Sequence, residues 1–171
     1  MYRGKEIQKG EAERLMRRTD REVTDKKEIM DILWRCSTLR IGVKGEPYPY
    51  VVPVSFGLDT AGDKPVIYFH CAREGQKLDM LQADPHVCVE GDIFIKTELI
   101  KHGITARYES VIGFGVCELV DSPEEIRKGL LLLNEHYGYG DFQLDKCGSL
   151  DKLAVGKITL ESVTGKRNLP R

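Results

Sequence analysis

The chain has 171 residues, a length that fits one domain able to bury roughly 70% of the surface its unfolded form exposes. Its 26 basic and 27 acidic residues nearly cancel, so no charge excess points to nucleic acid or to an anionic membrane surface, and no apolar run approaches the ~20 residues that span a bilayer. Five cysteines, an odd number without a CxxC pair, and an N-terminus charged from Arg3 onward with no hydrophobic signal core predict a reduced, cytoplasmic protein with free thiols.

Charge dominates residues 1–23, including Met16-Arg17-Arg18-Thr19-Asp20-Arg21-Glu22, a pattern that suits either a frayed arm or a helix packed on a partner. Residues 1–15 are read as an N-terminal extension and residues 16–171 as a single domain. A helix is predicted from Asp25, where Asp25 and Glu28 have capping-box spacing and Ile29, Ile32, Leu33 and Cys36 form an apolar stripe. Residues 39–43 alternate as a strand and end at the turn Lys44-Gly45-Glu46-Pro47. Residues 50–58 are apolar at successive positions, as expected of one strand buried on both faces. A loop over 59–63 leads to a strand over 66–71, and a short helix over 73–83 stops ahead of Asp84-Pro85. Residues 86–89 are a further strand, while 90–105 carry no clear pattern. Residues 107–120 predict a long strand bent near Gly113 and Gly115. The next helix has Ser122 as N-cap, Pro123 at N1, Glu125 closing a capping box and Gly138 after its stop. Residues 138–152 read as loop and 154–163 as the final strand. Short strands in sequence, two of them linked by a small helix, predict a mainly β architecture with flanking helices: a closed or partly closed antiparallel barrel.

The chemistry concentrates in Val66-Ile67-Tyr68-Phe69-His70-Cys71-Ala72-Arg73-Glu74-Gly75-Gln76-Lys77-Leu78, a strand running into an amphipathic helix. A helix N-terminus offers unpaired N–H groups and a positive dipole end, which suit a phosphate. Helical side chains lean toward the helix start, bringing the Lys77 ammonium over the same place. An ordinary strand-to-helix connection with a solvated lysine has the same pattern. His86 and Cys88 lack the spacing of a zinc module, so His70, His86, Cys71 and Cys88 predict no metal site. Gly113-Phe114-Gly115 lacks the third glycine and the following helix of a dinucleotide fingerprint.

Several segments occur in a telling order: Met16-Arg17-Arg18 with Asp20-Arg21-Glu22, Pro49-Tyr50-Val51-Val52-Pro53-Val54-Ser55-Phe56, Tyr68-Phe69-His70 with Ala72, Gly75, Lys77 and Leu78, Asp84-Pro85, Tyr108-Glu109-Ser110-Val111-Ile112-Gly113, and Thr164-Gly165-Lys166. In this combination the chain resembles the FMN-binding split-barrel superfamily (pyridoxamine 5′-phosphate oxidase-like), and within it the branch associated with 5-nitroimidazole resistance. The resemblance implies a split β-barrel that binds FMN, with the cofactor between the subunits of a homodimer. It places Val52, Pro53, Val54, Ser55, His70, Cys71, Ala72, Gly75, Gln76, Lys77, Ser110 and Val111 against the cofactor.

Individually, these residues fit what FMN presents. Lys77 and the N–H groups near Gly75 and Gln76 suit the phosphate, Gly75 permits close backbone approach, and Ser110 offers a hydroxyl to phosphate or ribityl oxygens. The backbone of residues 52–55 suits the ring, because Pro53 interrupts a ladder and frees its neighbours. Structural readings stand beside these: Pro53 as an edge marker, Ser110 as a solvated strand residue, and Cys71 as inert packing. His70 is the candidate catalytic residue, a proton donor to a reduced product, or else a structural strand histidine. Lys166 and Arg167 reach an anion across the dimer or form a solvated tail. The implied function is an FMN-dependent oxidoreductase, nitroreductase-like, that acts on a small nitroaromatic substrate. The alternatives are a non-catalytic flavin- or haem-binding carrier or sensor and a pyridoxamine-phosphate-oxidase-like enzyme.

Overall fold

The computed structural model describes residues 16–148 and 150–170; the extension assigned to residues 1–15 lies outside them. Eight strands and three α-helices follow in chain order as β1 (Glu22–Val23), α1 (Lys26–Arg35), β2 (Leu39–Val43), β3 (Tyr50–Val54), β4 (Gly57–Asp59), β5 (Val66–Ala72), α2 (Gln76–Ala83), β6 (His86–Ile100), β7 (Gly103–Val120), α3 (Pro123–His136) and β8 (Leu153–Asn168). All pairings are antiparallel, in the order β3-β2-β6-β7-β8-β5-β4, with β1 on the far end of β8. The two sheet ends, β3 and β4, are consecutive in the chain and separated only by Ser55 and Phe56. The sheet therefore curls until its ends adjoin, without hydrogen bonds between them, and forms a split barrel.

Period-two alternation decides what enters the barrel. The cross-strand row Val52–Ile41–Val89–Gly113–Val163 points inward, and the next row, Pro53–Arg40–Glu90–Ile112–Thr164, points outward. Leu39, Ile41, Val43, Val89, Ile67, Phe69, Ile158 and Leu160 are sealed inside, each burial stabilising by about 1.5–3 kcal/mol. Helix α1 closes one end with Ile29, Ile32 and Leu33. Its ends are tied by Arg35–Glu109 at 2.7 Å and by Glu28–Arg167 at 2.9 Å.

Helix α3 packs over β4, and its end reaches the Phe56 junction between β3 and β4. A Cβ on Gly57 would sit 2.5 Å from Leu133 N and 2.6 Å from the Leu132 carbonyl carbon, so only glycine admits the helix at this distance. At the end of α3 the Phe56 N–H donates to the Tyr137 hydroxyl at 3.3 Å, and that hydroxyl donates to Ser37 O at 2.8 Å. His136 Nε2 donates to Cys36 O at 3.0 Å, and its ring lies 4.2 Å from that of Phe56. The Phe56 junction is thus tied to Cys36 and Ser37, ahead of β2, by His136 and Tyr137 at the end of α3.

The barrel and helix expectations agree with this architecture, and several element boundaries need correction. The single strand expected over 50–58 is two, β3 and β4, and β3 is buried on one face only because it forms a sheet edge. The unassigned stretch 90–105 completes β6 and opens β7 as a long hairpin arm. Helix α2 starts at Gln76, later than expected, because Gly75 adopts φ +129°. The 138–152 loop contains 3-10 turns at Leu144–Lys146 and Leu150–Lys152, and β8 runs on to Asn168. Neither predicted capping box closes. Asp25 accepts from Lys27 N–H, and Glu28 turns to Arg167. Ser122 accepts from Glu125 N–H, but the Glu125 carboxylate takes the Tyr68 hydroxyl and Lys157 instead of the backbone of its own cap. A buried phenol with no other acceptor outbids an exposed backbone N–H that water can serve.

Burial holds the His136 imidazole pKa below its ordinary value of 6.5, and its Nδ1 is buried without a partner. The unfolded histidine gains its proton first as pH falls, so this contribution to stability is complete above about pH 6.5 and declines below it. Urea titrations between about pH 7.5 and pH 5 are expected to show a smaller acid loss of stability for His136→Gln than for the native chain. Equal losses in the two proteins would remove His136 as the acid-sensitive group of this junction.

Candidate functional site

Strand β5 carries the alternation that builds the site. Ile67, Tyr68 and Phe69 are buried, then His70 emerges and Cys71 turns halfway back into the core. The chain next makes a reversal that Gly75 permits, its φ of +129° lying in the region side chains disfavour. A Cβ there would meet nothing within 4 Å, so the space beside Gly75 is open. No side chain caps α2, and the N–H groups of Gln76 and Lys77 have no partner among the described residues, whereas Leu78 N–H donates to Gly75 O at 2.9 Å. Two unpaired donors at a helix start beside an open hollow suit an anion.

Lys77 leans back over this turn. Its ammonium lies 5.3 Å from the Phe69 ring centroid and near enough to Cys71 for its charge to act on that thiol. Among the described residues it makes no ion pair, in contrast to Lys128 with Asp59 at 2.6 Å or Lys157 with Glu118 at 3.2 Å. A half-buried cation over a π-face, without a carboxylate, has Coulomb attraction left for a ligand. Its field is felt by its neighbours. Burial lowers the His70 pKa and the Lys77 charge lowers it further, so the imidazole is neutral near pH 7. Burial raises the Cys71 thiol against the opposing pull of Lys77, and it pushes Cys117 up to about 12. Both thiols are protonated, and as nucleophiles they are inert.

The sequence-predicted residues fall into three groups. His70, Cys71, Ala72, Gly75, Gln76 and Lys77 come together at the turn after β5. Val52, Pro53, Val54 and Ser55 lie on and just past β3, whose outer edge has no strand partner; Val52 and Val54 face inward, and Pro53 and Ser55 are exposed. Ser110 and the buried Val111 sit on β7 opposite Lys166 and Gly165. Cys71 pairs with Ala154 of β8 and Ser110 with Lys166 of the same strand. Those two β8 positions are on the order of 40 Å apart along the strand, at about 3.3 Å per residue. Ser110 and the Lys77 turn therefore lie toward opposite ends of β8 in one chain.

Some contributors escaped sequence reasoning. Phe69, beneath the ammonium, looked like plain core. The turn at Gly45 meets Met80 of α2 and leaves a cavity of about 480 Å³ beside Gln76, lined also by Lys44, Glu46 and Asp84. The only sequence signal for that cavity was the turn Lys44-Gly45-Glu46-Pro47, which says nothing of where it docks. His86, weighed for metal binding, holds Asp84 through Nδ1 at 2.8 Å.

A family profile described as pyridoxamine 5′-phosphate oxidase matches residues 25–167. Among solved structures, the chain is 28% identical to a candidate 5-nitroimidazole antibiotic resistance protein from Bacteroides thetaiotaomicron VPI-5482, with 85% of each chain covered and a TM-score of 0.74. A flavocytochrome from Azotobacter vinelandii is 14% identical over 91% of this chain and 73% of that one, with a TM-score of 0.74. A FAD-binding protein from Mesorhizobium loti is 18% identical over 86% and 97%, with a TM-score of 0.63. The latter two likenesses are of fold alone. No curated protein matches the chain.

Proton NMR titration of His70 is expected to give a midpoint below its ordinary 6.5. In Lys77→Gln that midpoint is expected to rise, since one of the two depressing influences is gone. A midpoint indifferent to the substitution would place Lys77 away from His70.

Proposed function

The chain belongs to the pyridoxamine 5′-phosphate oxidase family, and we propose that it is a cytoplasmic flavoprotein that binds FMN and reduces small nitroaromatic compounds of the 5-nitroimidazole kind. The observation that carries this reading is the turn Gly75-Gln76-Lys77: an open hollow, two unpaired N–H groups and a half-buried ammonium without a carboxylate converge where a phosphate monoester would lie. The extent of the likeness to the Bacteroides protein, 28% identity over 85% of each chain, supports the nitroaromatic substrate class.

In this reading Lys77 and the α2 N-terminus hold the phosphate, and the unpaired backbone edge of β3 around Pro53 lies along the ring. Bound flavin would supply the electrons for nitro reduction. Neutral His70, exposed at the end of β5, offers an N–H to a substrate oxygen and no competing positive charge.

The separation of Ser110 from Lys77 supports a homodimer in which one subunit supplies the β7 group and its partner the Lys77 turn. So does the outer sheet face, where Val51 is 58% and Phe114 is 56% exposed, with Pro53, Cys88 and Ile112 beside them. Exposed apolar side chains on a sheet face, here on either side of the Arg40–Glu90 ion pair, favour association.

Freshly purified protein is expected to be yellow, to release FMN on denaturation, and to consume a 5-nitroimidazole under anaerobic conditions with a reduced pyridine nucleotide. Protein that stays colourless after incubation with excess FMN would end the proposal, and a haem absorption band would favour the carrier reading. Lys77→Ala is expected to weaken FMN by about 1.5–3 kcal/mol, the range for a hydrogen bond to a charged group; undiminished retention would take the phosphate role from Lys77. Phe114→Lys is expected to shift sedimentation from dimer to monomer. An unchanged sedimentation coefficient would place the interface elsewhere.

A further inference from the structure

The motif Arg18-Thr19-Asp20-Arg21, one of the segments behind the family resemblance, is given no flavin contact in the proposed function, yet it folds into a built cavity. A 3-10 turn over Thr19–Arg21 sets it against the end of β8 and the base of the β6–β7 arm. The cavity there has a volume of about 520 Å³ and is lined by four arginines, Arg18, Arg21, Arg107 and Arg167, and one carboxylate, Asp20, with Ile100, Thr105, Asn168 and Leu169.

The nearby carboxylates are already committed. Asp20 grips Arg18 through two bonds of 2.7 and 2.6 Å, and that pairing holds its pKa down at about 2. Glu98 takes Arg107 at 2.7 Å, and Glu28 takes Arg167 at 2.9 Å. Arg107 is further tied to Asn168 Oδ1 and Leu169 O at 3.1 and 2.9 Å. Arg21 is left over: its Nε is buried and has no hydrogen-bond partner among the described residues. A buried guanidinium donor without an acceptor is costly, and the planar edge it belongs to matches the two oxygens of a carboxylate or phosphate. The Thr105 hydroxyl accepts from Asn168 Nδ2 at 3.1 Å and keeps its own proton to donate.

We propose that this cavity is a second binding site, for a small organic oxyanion whose carboxylate or phosphate is held by Arg21 and whose apolar body rests on Ile100 and Leu169. It is remote from the Lys77 turn of its own chain: Ala72 pairs with Leu153 at the start of β8, and the cavity includes Asn168 at its end.

Isothermal titration of the protein, kept in excess FMN at low ionic strength, with inorganic pyrophosphate and separately with benzoate tests it. One saturable site per chain is expected for at least one of the two, and the responding anion identifies the phosphate or the carboxylate source. Arg21→Gln is expected to weaken binding at least about tenfold, the loss expected for a charge-assisted hydrogen bond. Ile100→Glu, which brings a carboxylate to the cavity without touching Arg21's own turn, is expected to abolish binding and raise the melting temperature. Lys152→Gln, a distant surface change, is expected to leave affinity unaltered. No saturable binding of either anion, or equal weakening by Arg21→Gln and Lys152→Gln, would overturn the site. Flavin absorbance read on the same samples keeps that outcome separate from a failure of the flavin proposal.

Discussion

The structure depends on a covalent constraint: Ser55 and Phe56 are all that separate the two ends of the sheet. A sheet whose first and last strands are consecutive in the chain has to curl, yet β3 and β4 do not pair. The junction between them is tied from outside by the end of α3, through Tyr137, His136 and the buried Phe56 ring. Side chains tie this junction while the backbone edge of β3 stays unpaired, and exposed backbone groups at a barrel mouth are what a planar polar ligand needs. The cost of an open edge, a tendency toward unwanted pairing, is limited by Pro53 and by the shortness of β3.

Among the described residues, several cations are neutralised by a carboxylate where they stand, and two of those that are not lie beside open space. Lysines 128 and 157 and arginines 35, 40, 107 and 167 each meet a carboxylate. Lys77 and Arg21 do not, and each lies beside open space at an opposite end of β8. In a chain of nearly balanced charge, the unpaired cations are the informative ones. Burial removes their water without supplying an anion, so each gains more from a ligand than a solvated lysine would.

The hairpin arm of β6 and β7 poses a complementary problem. Beyond the end of β8 it is two strands wide, and Leu99 and Ile104 are 82% and 76% exposed. An isolated two-stranded ribbon is marginal in water. This one is anchored at its base by Arg107, which joins Glu98 across the ribbon to Asn168 and Leu169 at the end of β8. The same arginine thereby shapes the wall of the Arg21 cavity, so arm and cavity stand or fall together.

Much of this was legible in the residues. Capping at Asp25 and Ser122, the period-two runs, and the Gly75–Lys77 spacing each encode local geometry, and local geometry is set by neighbours within a few positions. The ordered segments from Met16 to Lys166 were enough to place the chain in its family. What could not be read locally was decided by long-range pairing. The 50–58 run looked like one strand because nothing in it says that its two halves end on opposite sheet edges. Glu125 looked like a capping residue because the Tyr68 phenol reaches it only after α3 packs on β5. The pairing of Arg167 with Glu28, and the bonds from Arg107 to Asn168 and Leu169 that wall the Arg21 cavity, required residues far apart in the chain to meet. By itself the sequence determined which segments extend, which coil and which residue types can bind an anion, since these follow from backbone propensity and side-chain chemistry. Only the tertiary structure decided which cations keep a partner and which wait for one, because electrostatic neutralisation depends on distance in space and not on position along the chain.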